Sequence, residues 1–311
     1  MRRTPGIVLH RYPFGRRAFL AAVGITTLGT RSALSRNGVR SAVATFSILQ
    51  DLLEALCRSQ WTVYGLVGRN ADAHSYQPTP HDARRLAQAD LLVSNGFGFE
   101  PWLSRLSAAA PFKGRHVTAT EGIAPIERPA GAGGHGVDPH CWQDVTLARR
   151  YVANFAEGLA QVDTANASEY RSRAIELDRR LAALDAWVRS EIDRVPSNRR
   201  RVITSHDAFG YFARAYGVEF LAARGINPER DPTPQDIAHL IKLVRSHKVN
   251  ALFIENLGNR AFIDQIAHEA GGVVGPPLYS DALSPAGGPA GTYESLVRHN
   301  VTALVEGMLR N

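Results

Sequence analysis

Beyond about residue 40, short apolar runs alternate with longer stretches in which apolar residues recur every three or four positions. Val63–Gly65, Leu91–Ser94, Val202–Thr204, Ala251–Ile254 and Gly272–Val274 read as strands. Strands that alternate with helices imply parallel sheets with helices on both faces, so the predicted class is α/β. Two helix starts look alike. Pro78-Thr79-Pro80-His81-Asp82 and Pro232-Thr233-Pro234-Gln235-Asp236 each offer a threonine cap, proline at the first helical position and an acid at the third. Each leads through a helix to an apolar strand (LLVSN, ALFIEN), which predicts two similar lobes.

Between the lobes, Ala174, Leu177, Leu181, Leu184, Val188, Ile192 and Val195 recur at steps of three and four, with charged residues between them. One helix over about 165–195 follows, stiff and roughly 45 Å long. A coiled-coil arm is the rival reading of this stripe, but about three heptads is short for one. Pro196 ends the helix. The expected organisation is therefore a lobe over 41–164, a linking helix over 165–195 and a lobe over 196–311.

Composition (311 residues, 44% hydrophobic, 21% charged) fits an ordinary globular chain of about two domains. The net charge of +7 suggests a nucleic-acid or membrane-surface partner until its position is considered. Residues 1–40 hold eight arginines and no acid, and the net +7 less those eight leaves −1 for the rest. No nucleic-acid partner is expected. The basic front precedes the apolar run Ala18–Gly29, too short to span a bilayer core that needs about 20 residues. Gly15-Arg16-Arg17-Ala18-Phe19-Leu20 resembles a twin-arginine export signal, so residues 1–40 read as a cleavable leader. Cleavage near Ser32–Ser35 or within Ser41–Ala44 is compatible with the small residues there. Neither Cys57 nor Cys141 follows the apolar run, which predicts a periplasmic product without a lipid-modified cysteine. The two cysteines can form a disulfide or remain buried thiols.

Four residues stand out among the candidate ligands. His74 lies in a polar loop after the strand near Val63, His140 in Asp138-Pro139-His140, His206 directly after Val202–Thr204, and Asp281 beyond the strand near Val273. All four fall at or near carboxyl ends of strands, where open α/β sheets place their ligands. Three neutral imidazoles and one carboxylate suit zinc, while manganese favours more oxygen donors. Glu255 reads either as an acceptor that orients a ligand histidine or as a solvated strand-end acid. Glu100-Pro101-Trp102 reads as a helix start packed by tryptophan. His81 and His239 are expected on helix surfaces, and His135 in a glycine-rich loop.

From about Val43 onward the chain resembles the zinc and manganese substrate-binding proteins of bacterial ABC importers. GRNADAHSYQPTPHDARRLAQADLLVSNGFGFEPWL is similar to that family's first metal-binding segment, with His74 at the ligand position. DPHCWQDV resembles the second and gives His140; ITSHDAFGYFARAYGVE resembles the third and gives His206. YSDALSP with GTYESLVRHNVTALVEGM resembles the last and gives Asp281. The resemblance implies two Rossmann-like lobes with parallel sheets joined by a long rigid helix, the metal in the cleft and two ligands from each lobe. It implies zinc as transported ligand, manganese as the alternative, and a membrane permease as partner. A metallochaperone is a further candidate partner, and a monomer is expected. Two departures stand out. Asp72-Ala73-His74 replaces a common Asp-Pro-His, which predicts a looser loop, and the histidine-rich loop of many zinc members has shrunk to a glycine-rich stretch.

Capture rather than catalysis is expected, because a closed four-ligand shell leaves no obligatory place for an activated water. The rival classes are a zinc-dependent hydrolase with Asp281 or Glu255 as base, and a surface adhesin.

Overall fold

The computed structural model describes residues 39–127, 136–222, 234–247, 249–257 and 260–311. Residues 1–38, with the twin-arginine segment of the expected leader, His135, the Thr233 cap and the His239 side chain lie outside the described residues.

The first sheet holds β1 (Arg40–Phe46), β2 (Trp61–Val67), β3 (Leu91–Ser94) and β4 (Arg115–Thr118). Its order is β2-β1-β3-β4, with every neighbour parallel. The central strand β1 reads RSAVATF and buries Ala42, Val43 and Ala44 completely, as a strand covered on both faces must. A leader cut within Ser41–Ala44 would remove residues of β1 that pair with β2 and β3.

Helices α1 (Ser47–Cys57), α2 (Pro80–Gln88), α3 (Leu103–Ala109) and α4 (Val145–Val162) belong to the same half of the chain. Thr79 caps α2 as the sequence predicts. Its Oγ1 accepts from the Asp82 amide at 3.3 Å while Asp82 accepts from the Thr79 amide at 2.7 Å. Gly158 lets α4 lie directly on the sheet, since a Cβ there would stand 2.5 Å from a methyl of Val117. A short antiparallel pair, β5 (Ile126–Glu127) and β6 (Val137–Asp138), lies between β4 and α4 in the chain.

The linking helix α5 runs Ala167–Asp193, about 40 Å at 1.5 Å per residue. Leu177, Leu181, Leu184, Val188 and Ile192 are buried in the protein's own core. The apolar stripe is thus consumed within the chain, which answers the coiled-coil reading.

The second sheet holds β7 (Arg201–Thr204), β8 (Glu219–Ala222), β9 (Ala251–Leu252) and β10 (Val273–Val274). Its order is β10-β9-β7-β8, again parallel. Substituting β7 to β10 for β1 to β4 turns one order into the other, so the internal repeat expected from the two proline-led helix starts is present in the topology. Helices α6 (Gly210–Tyr216), α7 (Pro234–His247) and α8 (Arg260–Ala270) accompany it, and α9 (Tyr293–Met308) closes the chain. Among the described residues, no helix is long and apolar enough to cross a membrane. Cys57 and Cys141 are both buried free thiols, each pushed up to about 12, mainly by burial.

Candidate metal centre

Each of the three expected histidine ligands is positioned with the help of a carboxylate. His74 sits in the loop between β2 and α2. Asp72 accepts from the His74 amide at 2.8 Å and from Ser75 Oγ at 2.7 Å, an Asx turn that folds the chain back on itself. Ala73, fully buried, accepts through its carbonyl from Trp102 Nε1 at 2.7 Å. Where proline is missing, tryptophan and aspartate fasten the loop. The Glu100-Pro101-Trp102 segment does more than start α3. Glu100 is buried and accepts from Thr45 Oγ1 and the amides of Asn95 and Gly96 at 2.6, 2.6 and 3.3 Å. The His74 ring meets the edge of Phe99, with centroids 4.5 Å apart.

His140 follows β6 and is completely buried. Asp138 Oδ1 accepts from the His140 amide at 2.9 Å and lies 2.8 Å from ring Nδ1. An Nδ1 proton donated to Asp138 leaves the Nε2 lone pair facing inward, the tautomer a metal needs. His206 follows β7. Its Nδ1 contacts Glu255 Oε2, while Oε1 of the same carboxylate accepts from Ser205 N, Ser205 Oγ and His206 N at 2.9, 2.9 and 3.2 Å. Glu255 is thus the buried orienting acid of the two sequence readings, not a solvated strand end.

Asp281 lies between the three rings. Its carboxylate oxygens stand 3.6 Å from His74 Nε2, 3.5 Å from His140 Nε2 and 3.2 Å from His206 Nε2. All three Nε2 atoms and both Asp281 oxygens are buried without a hydrogen-bond partner. Burying such groups unpaired costs several kcal/mol in all, unless something satisfies them together. A cation does so. Tetrahedral bonds of 2.0–2.1 Å give edges of about 3.3 Å, close to these spacings. One ligand atom from each of His74, His140 and Asp281 lies within 4.8 Å of the other two, a group able to hold a metal ion.

Electrostatics agree with the geometry. Burial works against the Asp281 charge, but the imidazoles of His140, His206 and His74 outweigh it and hold the carboxyl well below the usual range. Burial also pulls His74 down, and contact with Asp281, aided by Asp72 and Glu100, reverses this and raises it. For His206 burial prevails and the ring is lowered. Of the residues that shape the site, sequence reasoning missed Asp138, Asp72 and the acceptor role of Glu100. A repeated Asp-x-His at 72–74 and 138–140 was the available signal for the first two. His81 is exposed, as expected.

A family profile described as "ZnuA: Zinc-uptake complex component A periplasmic" matches residues 42–307. The iron-binding protein YfeA of Yersinia pestis is 31% identical over 302 residues, covering 95% of this chain and 97% of the relative. The manganese-binding lipoprotein MntA of Halalkalibacterium halodurans is 29% identical over 290 residues, covering 93% and 95%. The zinc-binding protein TroA of Treponema pallidum is 30% identical over 303 residues, covering 94% and 98%. A solved structure of TroA superposes with a TM-score of 0.81 across 87% of this chain and 99% of that one.

Proposed function

The chain belongs to the family described as zinc-uptake complex component A, periplasmic, and from that premise we propose that it captures one zinc ion between His74, His140, His206 and Asp281 and delivers it to the membrane permease of an ABC importer. The observation that carries this reading is the set of five inward-facing donor atoms, all buried and all without a hydrogen-bond partner.

Family membership does not choose the metal, since the relatives' names divide among iron, manganese and zinc. The donor set favours zinc. Three imidazoles with one carboxylate are borderline-soft and fit a tetrahedral ion, whereas manganese and ferrous iron favour more oxygen and six ligands. Asp138 and Glu255 strengthen the preference by holding Nδ1 of two rings and raising their basicity.

Nothing in the site is arranged for turnover, in keeping with a family of binding proteins. Glu255 spends its oxygens on Ser205 and His206, and Asp281 faces the three rings, so neither is disposed as the base of a hydrolase. Loading instead stabilises one arrangement of the two lobes, and the permease reads that arrangement. Export through the twin-arginine route belongs to the proposal on the strength of Arg16, Arg17 and the apolar run after them.

Competitive titration of metal-stripped protein with zinc, manganese and ferrous iron, followed by counting bound metal, tests the reading. One zinc per chain that manganese fails to displace supports it; preferential retention of manganese or iron overturns the choice of zinc.

A further inference from the structure

Asp281 follows the second sheet in the chain, and Leu278 still pairs with the strand end at Ile254 and Asn256, yet the backbone immediately on both sides of Asp281 is fastened to the first lobe. Just before it, the Ser280 carbonyl accepts from Trp142 Nε1 at 2.8 Å and Gln143 Nε2 at 2.9 Å. Just after it, the Leu283 amide donates to Ser47 Oγ at 3.0 Å, and the Leu283 carbonyl accepts from the Asn70 amide at 2.8 Å. Arg69 closes the return of this segment. Its Nη1 donates to the carbonyls of Ser284 at 3.1 Å and Gly291 at 2.7 Å, joining the two ends of a loop that Ser284 also ties to Ala290. Asp51 secures the exit by accepting from the Tyr293 amide at 2.8 Å.

We propose that Arg69 is a positioning residue for metal capture, locking the Asp281 segment onto the first lobe so that His74, His140 and Asp281 form one preset three-donor unit and the second sheet delivers His206 alone. The proposal rests on the metal-carrier reading. It replaces the two-and-two division of ligands, which holds for chain position, by a three-and-one division in mechanical attachment.

Two further observations support that division. His74, His140 and Asp281 alone form a mutually close group of ligand atoms among the described residues. Part of the second sheet also packs in a small hydrophobic cluster of its own, including Ile203, Val244, Leu252, Ile254 and Ile266, while Val202, Ala251 and Phe253 join the large core that spans both halves. A preset group of donors binds without the ordering cost of assembling them, so affinity should depend on how firmly Asp281 is held.

The sign of the effect separates positioning from charge. Removing a cationic side chain near a metal site tightens metal binding if charge alone matters; releasing Asp281 weakens it. Zinc affinity of the metal-stripped protein, measured by chelator competition, is compared for wild type, Arg69→Ala, Asp281→Ala and the double variant, with Co2+ absorption as a report on ligation. Arg69→Ala is expected to weaken zinc roughly ten- to a hundredfold, in the range of other supporting-shell losses. Its Co2+ spectrum should move toward that of Asp281→Ala, and Arg69→Lys should restore most of the affinity. In the Asp281→Ala background, Arg69→Ala should add less than about a twofold loss, because its route is gone. Additive losses, or an Arg69→Ala protein that binds as tightly as wild type or tighter, overturn the proposal. If Arg69→Ala does not fold, Ser47→Ala removes the acceptor of the Leu283 amide and should weaken zinc in the same way; unchanged affinity there overturns it as well. An Asp281→Ala protein with wild-type affinity would instead sink the carrier reading itself.

Discussion

His140 and His206 both turn Nε2 toward the centre and Nδ1 toward a carboxylate, one in each half of the molecule, but they obtain that carboxylate differently. For His140 it comes from Asp138, two residues earlier on the same short segment. For His206 it comes from Glu255, beyond β9 and 49 residues later. The first arrangement is local and is set once β6 and the following turn form. The second exists only when β7 and β9 are paired, so the geometry of His206 reports the integrity of the second sheet. One chemical requirement, a neutral imidazole held in a fixed tautomer, is met by local folding in one lobe and by tertiary structure in the other.

The largest effect should come from removing a donor at the shared centre, which affects both halves equally. His140→Ala or Asp281→Ala should cost about a hundred- to a thousandfold in zinc affinity, one ligand's share of a strong four-ligand site. Equilibrium competition against a chelator measures it.

Next come the two orienting acids, and here the halves should differ. Asp138 is the local partner, its Oδ1 facing both the amide and the ring of His140 two residues on. Glu255 uses both oxygens, one on Nδ1 of His206 and the other on three donors from Ser205 and His206, and glutamine has only one acceptor oxygen. Glu255→Gln should therefore weaken zinc by about tenfold to a hundredfold and destabilise the metal-free protein by about 1–3 kcal/mol, the cost of stranding a buried donor. Asp138→Asn should weaken zinc without loosening the second sheet, because Glu255 and not Asp138 ties the end of β9 to that of β7. Equal loss of amide protection in β7 and β9 from the two variants, by hydrogen exchange, would break the comparison.

Acid should separate the lobes more gently. A group with a raised pKa takes up its proton at higher pH, so His74 yields to protons before an ordinary histidine near 6.5 would, and His206, lowered by burial, yields later. Asp281 is held too low to respond first. At limiting zinc, affinity should begin to fall above pH 6.5, and NMR of the metal-free protein should show His74 titrating before His206. The reverse order would contradict the account. The smallest effect expected is from reductant. With both thiols free, buried and raised to about 12, it should leave the melting temperature unchanged and a thiol reagent should not react until the chain unfolds.

The same local-versus-tertiary contrast explains what the sequence disclosed. Strands with a compact apolar signature were legible: LLVS is β3 without error, and RVIT is β7. The stripe of α5 was legible because its apolar spacing is regular over many turns. Strand β1 was not, since its small residues follow directly on a basic leader and read equally as a cleavage region. Strand β4 escaped notice because it lies at the sheet edge, where only Val117 of its four residues is buried and the polar remainder carries no pattern. At the site, the ligand positions could be read from motif and topology. Their supports were harder to see: Trp102 reaching the Ala73 carbonyl, or Arg69 reaching Ser284 and Gly291, link residues 29 to 222 positions apart, and no spacing rule announces such pairs.

The central claim is that three imidazoles and one aspartate, distant in sequence, share a single ion. X-ray absorption of the zinc-loaded protein tests it most directly. The account predicts one zinc per chain with three imidazole nitrogens at about 2.0–2.1 Å and carboxylate oxygen at about 2.0–2.2 Å, without sulfur. A shell with fewer than three imidazoles, or one that is unchanged in Asp281→Ala, would contradict it.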